Sequence, residues 1–359
     1  MSEYTSRERV SLALRGKKPD RVPLFDYLFS QKIIENVLGH KPDTYKAKDI
    51  VNCAKKLGLD ATWIPDSSSF GFSPEYISED VYKDERGITR KNTGASWPIH
   101  GPVDYPVKSK KDWEEYKLPD PRAEGRMKEI KTALNMTENG ELSIWGGVEG
   151  PFTPSWMTVG LELYSKLLYK EPKFIHEITE AWTKYYIELG TRIIETGVDA
   201  LVVSDDLGHT NGQFISKSHF DEFVLPYFRK MIREFKKQGV LIKLHSDGKI
   251  DPFLPDLFSL GIDAYHPVER SAGMDINKVV EKYGDGICVV GNVENKTLLV
   301  RGEPCEIREQ VKDIIKIAGK NGGLILGSDH SLHDDIPIEN VKALIKAARE
   351  FGDYPIGNL

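Results

Sequence analysis

Short apolar runs recur along the chain at 21–25, 61–65, 142–148, 200–205, 241–246, 263–268, 287–293 and 323–328. Most are continuous rather than alternating, the pattern of strands buried on both faces of a parallel sheet. The segments between them repeat apolar positions at helical spacing, as Ala47, Ile50, Val51, Ala54 and Leu57 do within 45–57. Longer helices are expected at 172–196, 216–238, 306–320 and 338–351. Glycine marks the helix ends: KKLGLDA, IETGVDA, FSLGIDA and KNGGLIL each put it after a helix and before a strand. Three of these share the form Gly-hydrophobic-Asp-Ala, one αβ turn used repeatedly. Eight strands with crossover helices predict an α/β protein, a single (β/α)8 TIM barrel domain over 1–359. A doubly wound open sheet would carry a Gly-rich phosphate loop after its first strand, and RVPLFDYLF has none.

One region breaks the alternation. Between the second and third strands, 66–122 contains DVYKDERGITRKNTG, which reads as a hairpin turning at Arg86-Gly87, and then the proline-rich KLPDPRAEG. It is expected to be an insertion on the upper rim that lines the cavity. Composition narrows the class further. Of 359 residues, 40% are hydrophobic and 29% charged, which is globular rather than disordered. The net charge of -6 without a basic stripe argues against nucleic acid. No apolar stretch approaches a membrane span and the N-terminus is too charged for a signal peptide, so a cytoplasmic location is expected. Cys53, Cys288 and Cys305 are odd in number and dispersed, unlike a disulfide framework.

In such a barrel the chemistry sits at the C-terminal ends of the strands. The residues there are Asp26-Tyr27, Asp66-Ser67-Ser68, Glu149, Asp205-Asp206, His245-Ser246-Asp247, His266, Asn292 and Ser328-Asp329-His330. Helix capping accounts for Asp, Ser and Asn at such places. It does not account for His245, His266 and His330. His245 and Asp247, two apart on an extended chain, share a side. They either hold one ion, zinc or another divalent metal, or are a satisfied core histidine and a cap. Asp206 is either a ligand-orienting or proton-exchanging group or a cap. Glu149 follows Gly146-Gly147, which would let backbone approach a ligand; alternatively it is a structural acid. Tyr27, Trp145, Phe152 and Trp156 either wall a small substrate or simply pack. Asp205, His266 and Asn292 are further candidate substrate contacts.

Several stretches, in this order, resemble the uroporphyrinogen decarboxylase superfamily: TSRERVSLALRGKKPDRVP, KLHSDGKI, GIDAYHPVE, MDINKVVEKYG, GNVENKTLL and GGLILGSDH. The resemblance implies a (β/α)8 barrel, with homodimers common. It implies one of two activities: metal-free decarboxylation of uroporphyrinogen side chains, or methyl transfer to or from a corrinoid protein or thiol coenzyme with the help of zinc. Two departures bear on the choice. The paired-arginine motif of the decarboxylases falls on FDYLFSQKIIENVLG, which has no arginine. The His-x-Cys and distant Cys of the thiol-activating enzymes fall on His245, Asp247 and, approximately, Ser328.

The resulting expectation is a corrinoid-linked methyltransferase. A divalent metal, zinc first, would lie on His245 and Asp247 with His330 or Glu149 completing it, and would favour an oxygen donor such as a methoxy group. Asp206, Glu149 and His330 are the candidate catalytic groups. A small methylated compound, for instance a methoxylated aromatic, would be the donor, and a corrinoid protein would dock over the mouth. A metal-free carboxy-lyase and a non-catalytic corrinoid- or small-molecule-binding barrel are the alternatives.

Overall fold

The structure is a computed structural model and describes residues 4–357 apart from 43, 67–73 and 95. In chain order the strands are β1 (Ala61–Trp63), four rim strands β2 (Glu75–Tyr76), β3 (Val81–Lys83), β4 (Thr89–Lys91) and β5 (Gly101–Asp104), then β6 (Ser143–Glu149) and β7 (Ala200–Ser204), a small pair β8 (Gly208–His209) and β9 (Gly212–Gln213), and β10 (Leu241–His245), β11 (Ala264–His266), β12 (Cys288–Val293) and β13 (Leu324–Ser328). Seven of them form one parallel sheet in the order β1-β6-β7-β10-β11-β12-β13. The segment at 24–25 joins its two edges, Leu24 bridging Leu326 and Phe25 bridging Ala61, both in parallel. The result is the expected (β/α)8 barrel.

The first strand is shorter than the run at 21–25 suggested. Pro23 has no N–H to give, and the seam rests on Phe25 N donating to Leu326 O, Leu326 N to Pro23 O, and Asp60 N and Ala61 N to Leu24 O. The helix expected at 216–238 is two helices, Lys217–Phe223 and Leu225–Lys236, because Pro226 starts the second and cannot continue the first. The 172–196 and 338–351 helices appear as Pro172–Glu195 and Ile338–Phe351. The insertion carries an antiparallel sheet, β2-β3-β4-β5, whose β3–β4 hairpin turns at Arg86-Gly87 with Gly87 at φ 76°. The β8–β9 pair was not anticipated.

The Gly-hydrophobic-Asp-Ala turns have a common geometry. Gly58, Gly197 and Gly261 all adopt the left-handed conformation that glycine tolerates at a helix end. Each following aspartate then ties down the start of another barrel strand. Asp60 accepts from Leu24 N at 2.9 Å, Asp199 from Ile144 N at 2.9 Å and Asp263 from Ile242 N at 2.7 Å. Asp60 is the most heavily used, also accepting from Arg9, Arg21 and Ser6 at 2.7–2.9 Å.

The N-terminal helix Ser6–Leu14, closed by a Thr5–Glu8 capping box, stoppers this end. Its Val10, Ala13 and Leu14 join Ala200, Val202, Leu241, Ala264, Val290 and Ile325 in the barrel interior. Burying Val10 and Leu14 contributes roughly 1.5–3 kcal/mol each. A second apolar layer lies between strands and outer helices. No helix among the described residues is long and apolar enough to cross a membrane. Asp60→Ala removes one of the two carboxylates on buried Arg9, which keeps Asp20, and leaves the buried Leu24 amide without its acceptor. It is expected to lower unfolding free energy in urea by about 1–3 kcal/mol, the cost of an unsatisfied buried donor; no measurable loss would show that Asp60 does not hold the seam.

Candidate active site at the barrel mouth

The strand registers bring the polar residues together. β10 and β11 pair with His245 opposite His266, so the two rings lie side by side with Nδ1 atoms 2.8 Å apart. β7 lies on the other side, with Ser204 opposite His245 and Asp206 just beyond it. His245 Nε2 is 3.7 Å from Asp247 Oδ1 and 3.9 Å from Asp206 Oδ1. Asp206, His245 and Asp247 each offer a donor atom within 4.8 Å of the others. His330, on the loop after β13, reaches the group through Asp247, its Nε2 3.1 Å from Oδ2.

Electrostatics separate these groups. Burial holds the His245 imidazole down at about 4, so it is neutral at pH 7. Burial likewise pushes His266 well below its ordinary range. The Asp247 charge beside His330 raises that ring to about 9. Of the two carboxylates, Asp247 is the more acidic because His330 and His245 offset its desolvation. Asp206 is shifted upward by desolvation and by the Asp247 charge. Half of its side chain is accessible and it lines the cavity, so this upward shift is smaller than full burial would give. Asp247 Oδ1 is buried without a hydrogen-bond partner, an arrangement that costs free energy unless a cation or donor fills it.

The cavity above has a volume of about 180 Å³. Its walls are Tyr27, Phe29, Trp63, Ile99, Met157 and Tyr186, and its polar lining includes Asp66, Arg86, Arg90, Glu149, Asp206, His245 and His330. It opens to a vestibule of about 780 Å³ that shares Phe29, Ile99, His330 and Ser331. A separate groove of about 630 Å³ at the opposite end, beneath the N-terminal helix, is lined by no described histidine or cysteine.

Some expected residues are therefore in place: Tyr27, Asp206, His245, Asp247 and His330 converge, and Glu149 lines the cavity. Glu149 does not join the carboxylate–histidine group, because Arg86 Nη1 holds it at 2.7 Å and Tyr186 at 3.3 Å. The other candidates are elsewhere. Asp205 is 1% exposed and caps helix Phe152–Val159, accepting from Phe152 N at 2.8 Å and Thr153 N at 2.6 Å. Trp145 is fully buried, stacked on Phe25 inside the barrel. Phe152 packs against Tyr164 and Phe214. Trp156 turns to Tyr105, and its neighbour Met157 faces the cavity instead.

Asn292 is a backbone device: it occupies φ 94°, donates to Val268 O at 2.6 Å and accepts from Arg270. His266 stands behind His245 rather than in the cavity. Ser328 points away, donating to Asp26 at 2.8 Å. Gly146 makes room for Ile193 and Gly147 for Trp63, a Cβ at either lying 2.3 Å from that side chain, and Gly147 also lines the cavity. Ser67 and Ser68 lie outside the described residues.

Sequence reasoning missed Lys243, Arg86, Arg90 and Tyr186. The signal for Lys243 was present: a lysine amid a buried strand, two before His245 and so on the same face. Its amine donates to Tyr27 Oη at 2.9 Å and lies 4.1, 4.4 and 5.0 Å from the ring centres of Phe25, Tyr27 and Trp145. The two arginines gave no such signal, since only folding of the insertion carries them over the mouth.

A parallel barrel with a carboxylate–histidine cluster at its C-terminal mouth, stoppered at the other end, defines an enzyme-like scaffold. The chain belongs to the uroporphyrinogen decarboxylase (URO-D) family, whose model matches residues 99–351. Among curated relatives, the uroporphyrinogen decarboxylase of Vibrio campbellii is 27% identical over 265 residues, covering 70% of this chain and 71% of that protein. That of Actinobacillus succinogenes is 25% identical over 258 residues, 68% and 70% of the two chains. Among solved structures, a methyltransferase from Methanosarcina mazei superposes with a TM-score of 0.76 at 21% identity, covering 97% of this chain and 99% of that one. This last likeness bears on the fold.

Burial drives the Lys243 amine well below its ordinary value. The folded state therefore favours neutral Lys243, while the unfolded chain holds the proton up to about 10.5. Its contribution to stability is intact above that pH and is lost as pH falls. Lys243→Met is thus expected to melt above the native chain at pH 7, with the gap closing toward pH 10. A variant destabilised equally at both values would refute the assignment.

Proposed function

We propose that the chain is a methyltransferase that takes a methyl group from a small methylated compound, a methoxylated aromatic, and delivers it to a corrinoid carried by a partner protein. A divalent metal, zinc in the first instance, would be held by Asp206, His245 and Asp247. The observation that carries the reading is the convergence of these three on one point with Asp247 Oδ1 buried and unpartnered. One imidazole and two carboxylates suit zinc or a harder divalent ion, and the absence of thiolate favours oxygen over sulfur chemistry. The neighbouring His266 fits as well: with the hydrogen on His245 Nδ1, its bond to His266 leaves Nε2 free to ligate. When bound, such an ion would act as a Lewis acid on the donor oxygen.

The chain's own residues supply the rest. Tyr27, Trp63 and Tyr186 line the cavity that would take an aromatic donor. Methyl departure breaks the C–O bond and leaves an oxyanion that takes up one proton. His330, in the cavity wall beside Asp247, is the group positioned to pass it. The vestibule supplies the approach for the corrinoid carrier.

The curated relatives' names favour a second reading, decarboxylation of a carboxylated substrate. Against it, both arginines in the cavity wall already have a carboxylate within 2.8 Å, Arg86 on Glu149 and Arg90 on Asp84. A porphyrinogen bearing many carboxylates needs uncommitted cations.

Purified chain is expected to retain about one equivalent of zinc or to bind added cobalt(II). Asp206→Asn and His245→Ala should each weaken metal affinity by at least tenfold, on the order of the loss from removing even a supporting contact. Methoxylated aromatics should methylate free cob(I)alamin, followed by its visible absorbance, with native but not His245→Ala protein. Equal metal affinity in native and variant chains, or methyl transfer that survives both substitutions, would sink the proposal.

A further inference from the structure

Glu149 meets the cavity with one oxygen engaged and one open. Both of its hydrogen bonds, from Arg86 Nη1 and Tyr186 Oη, end on Oε2, and no described donor reaches Oε1. The side chain is 18% accessible and lines the cavity. The cations in this part of the cavity wall are already paired. Arg86 lies on Glu149 and, at 3.6 Å, on Asp84. Arg90 donates to Asp84 at 2.8 Å and to the His100 carbonyl at 2.7 Å. Arg86 Nε has no hydrogen-bond partner and Arg90 Nη2 touches only Met157 Sδ at 4.0 Å, but the charge of each guanidinium is already matched by a carboxylate, which leaves Glu149 Oε1 as an open acceptor. A carboxylate placed there would face the Glu149 charge with no uncommitted cation to offset it. A hydroxyl would donate to Oε1 and leave the Arg86 pair intact.

We infer that Glu149 selects the substrate, accepting a hydrogen bond from a phenolic hydroxyl on the methoxylated ring and rejecting rings that carry a carboxylate. The inference rests on the aromatic donor proposed for this site. A phenol remains protonated at neutral pH, so it can donate. Tyr27 and Trp63, whose rings meet edge to face at 5.5 Å, wall the same space and suit a flat ring. Two walls and one acceptor thus define both the shape and the polarity of the donor.

The test is calorimetric binding to the zinc-supplemented full chain without any corrinoid, using the three methoxyphenols, anisole, 3-methoxybenzoate and tetramethylammonium. The best methoxyphenol should bind about tenfold or more tighter than anisole, the usual scale of a hydrogen bond to a charged group. Methoxybenzoate should bind more weakly than anisole. Glu149→Gln should cut methoxyphenol affinity by about tenfold while leaving anisole within about twofold. Its melting curve establishes whether it is folded, and the ligand series on the native chain decides the matter independently of the variant. Equal binding of anisole and every methoxyphenol, or tighter binding of the benzoate or of tetramethylammonium, overturns the inference. A methoxyphenol that binds as expected yet never methylates cob(I)alamin overturns the proposed activity and leaves this recognition standing.

Discussion

Leu24 and Phe25 must close an eight-stranded barrel beside a proline, so the seam has few ladder bonds, and two aspartates make up the difference. At the bottom, Asp60 accepts from the Leu24 amide and gathers Arg9 and Arg21 around it. At the top, Asp26 accepts from the Ser328 amide and hydroxyl at 2.9 and 2.8 Å. Gly327 between them has no room for a Cβ, which would lie 1.9 Å from the Phe25 carbonyl oxygen. If the seam opened, Tyr27 and His330 would no longer face His245. The cavity depends on this closure more than on any contact within the cavity itself.

The polar mouth resolves into two kinds of position that alternate along the chain. Asp26, Asp205 and Asp329 are buried and accept backbone amides from neighbouring strand ends: Ser328 for the first, Phe152 and Thr153 for the second, Arg270 and Asn295 for the third. Burial pushes each of these carboxyl groups up to about 7. The next residue in each case, Tyr27, Asp206 or His330, lines the cavity. The first member of each pair fastens the rim, and the second is turned inward by the same backbone. Fastening the rim and lining the cavity thus fall to adjacent residues of one polar ring.

Much of this was legible. The apolar runs, the repeated αβ turn and the hairpin at Arg86-Gly87 are local patterns; seven of the eight runs form strands where they were expected, and the first is reduced to bridges at Leu24 and Phe25. His245, Asp247 and His330 could be named because strand ends in a parallel barrel share one mouth. The aromatic candidates failed for a physical reason. Trp145 and Phe152 are large residues near a strand end, but the pleat turns Trp145 into the barrel interior and the first helical turn points Phe152 outward. Asn292 looked like a contact and instead holds a left-handed backbone. Arg86 and Glu149, 63 residues apart, meet only when the rim sheet folds over the opening.

The order of strands and helices, the glycine stops and the polar character of the strand ends follow from the chain itself, since each depends on residues within a few positions of one another. Tertiary structure decided which member of each polar pair faces inward. It brought Asp206 to the His245–Asp247 pair and left Glu149 with one oxygen open to the cavity. Those outcomes depend on strand register and on closing the barrel, which set distances between residues far apart in sequence and leave no periodic trace in it.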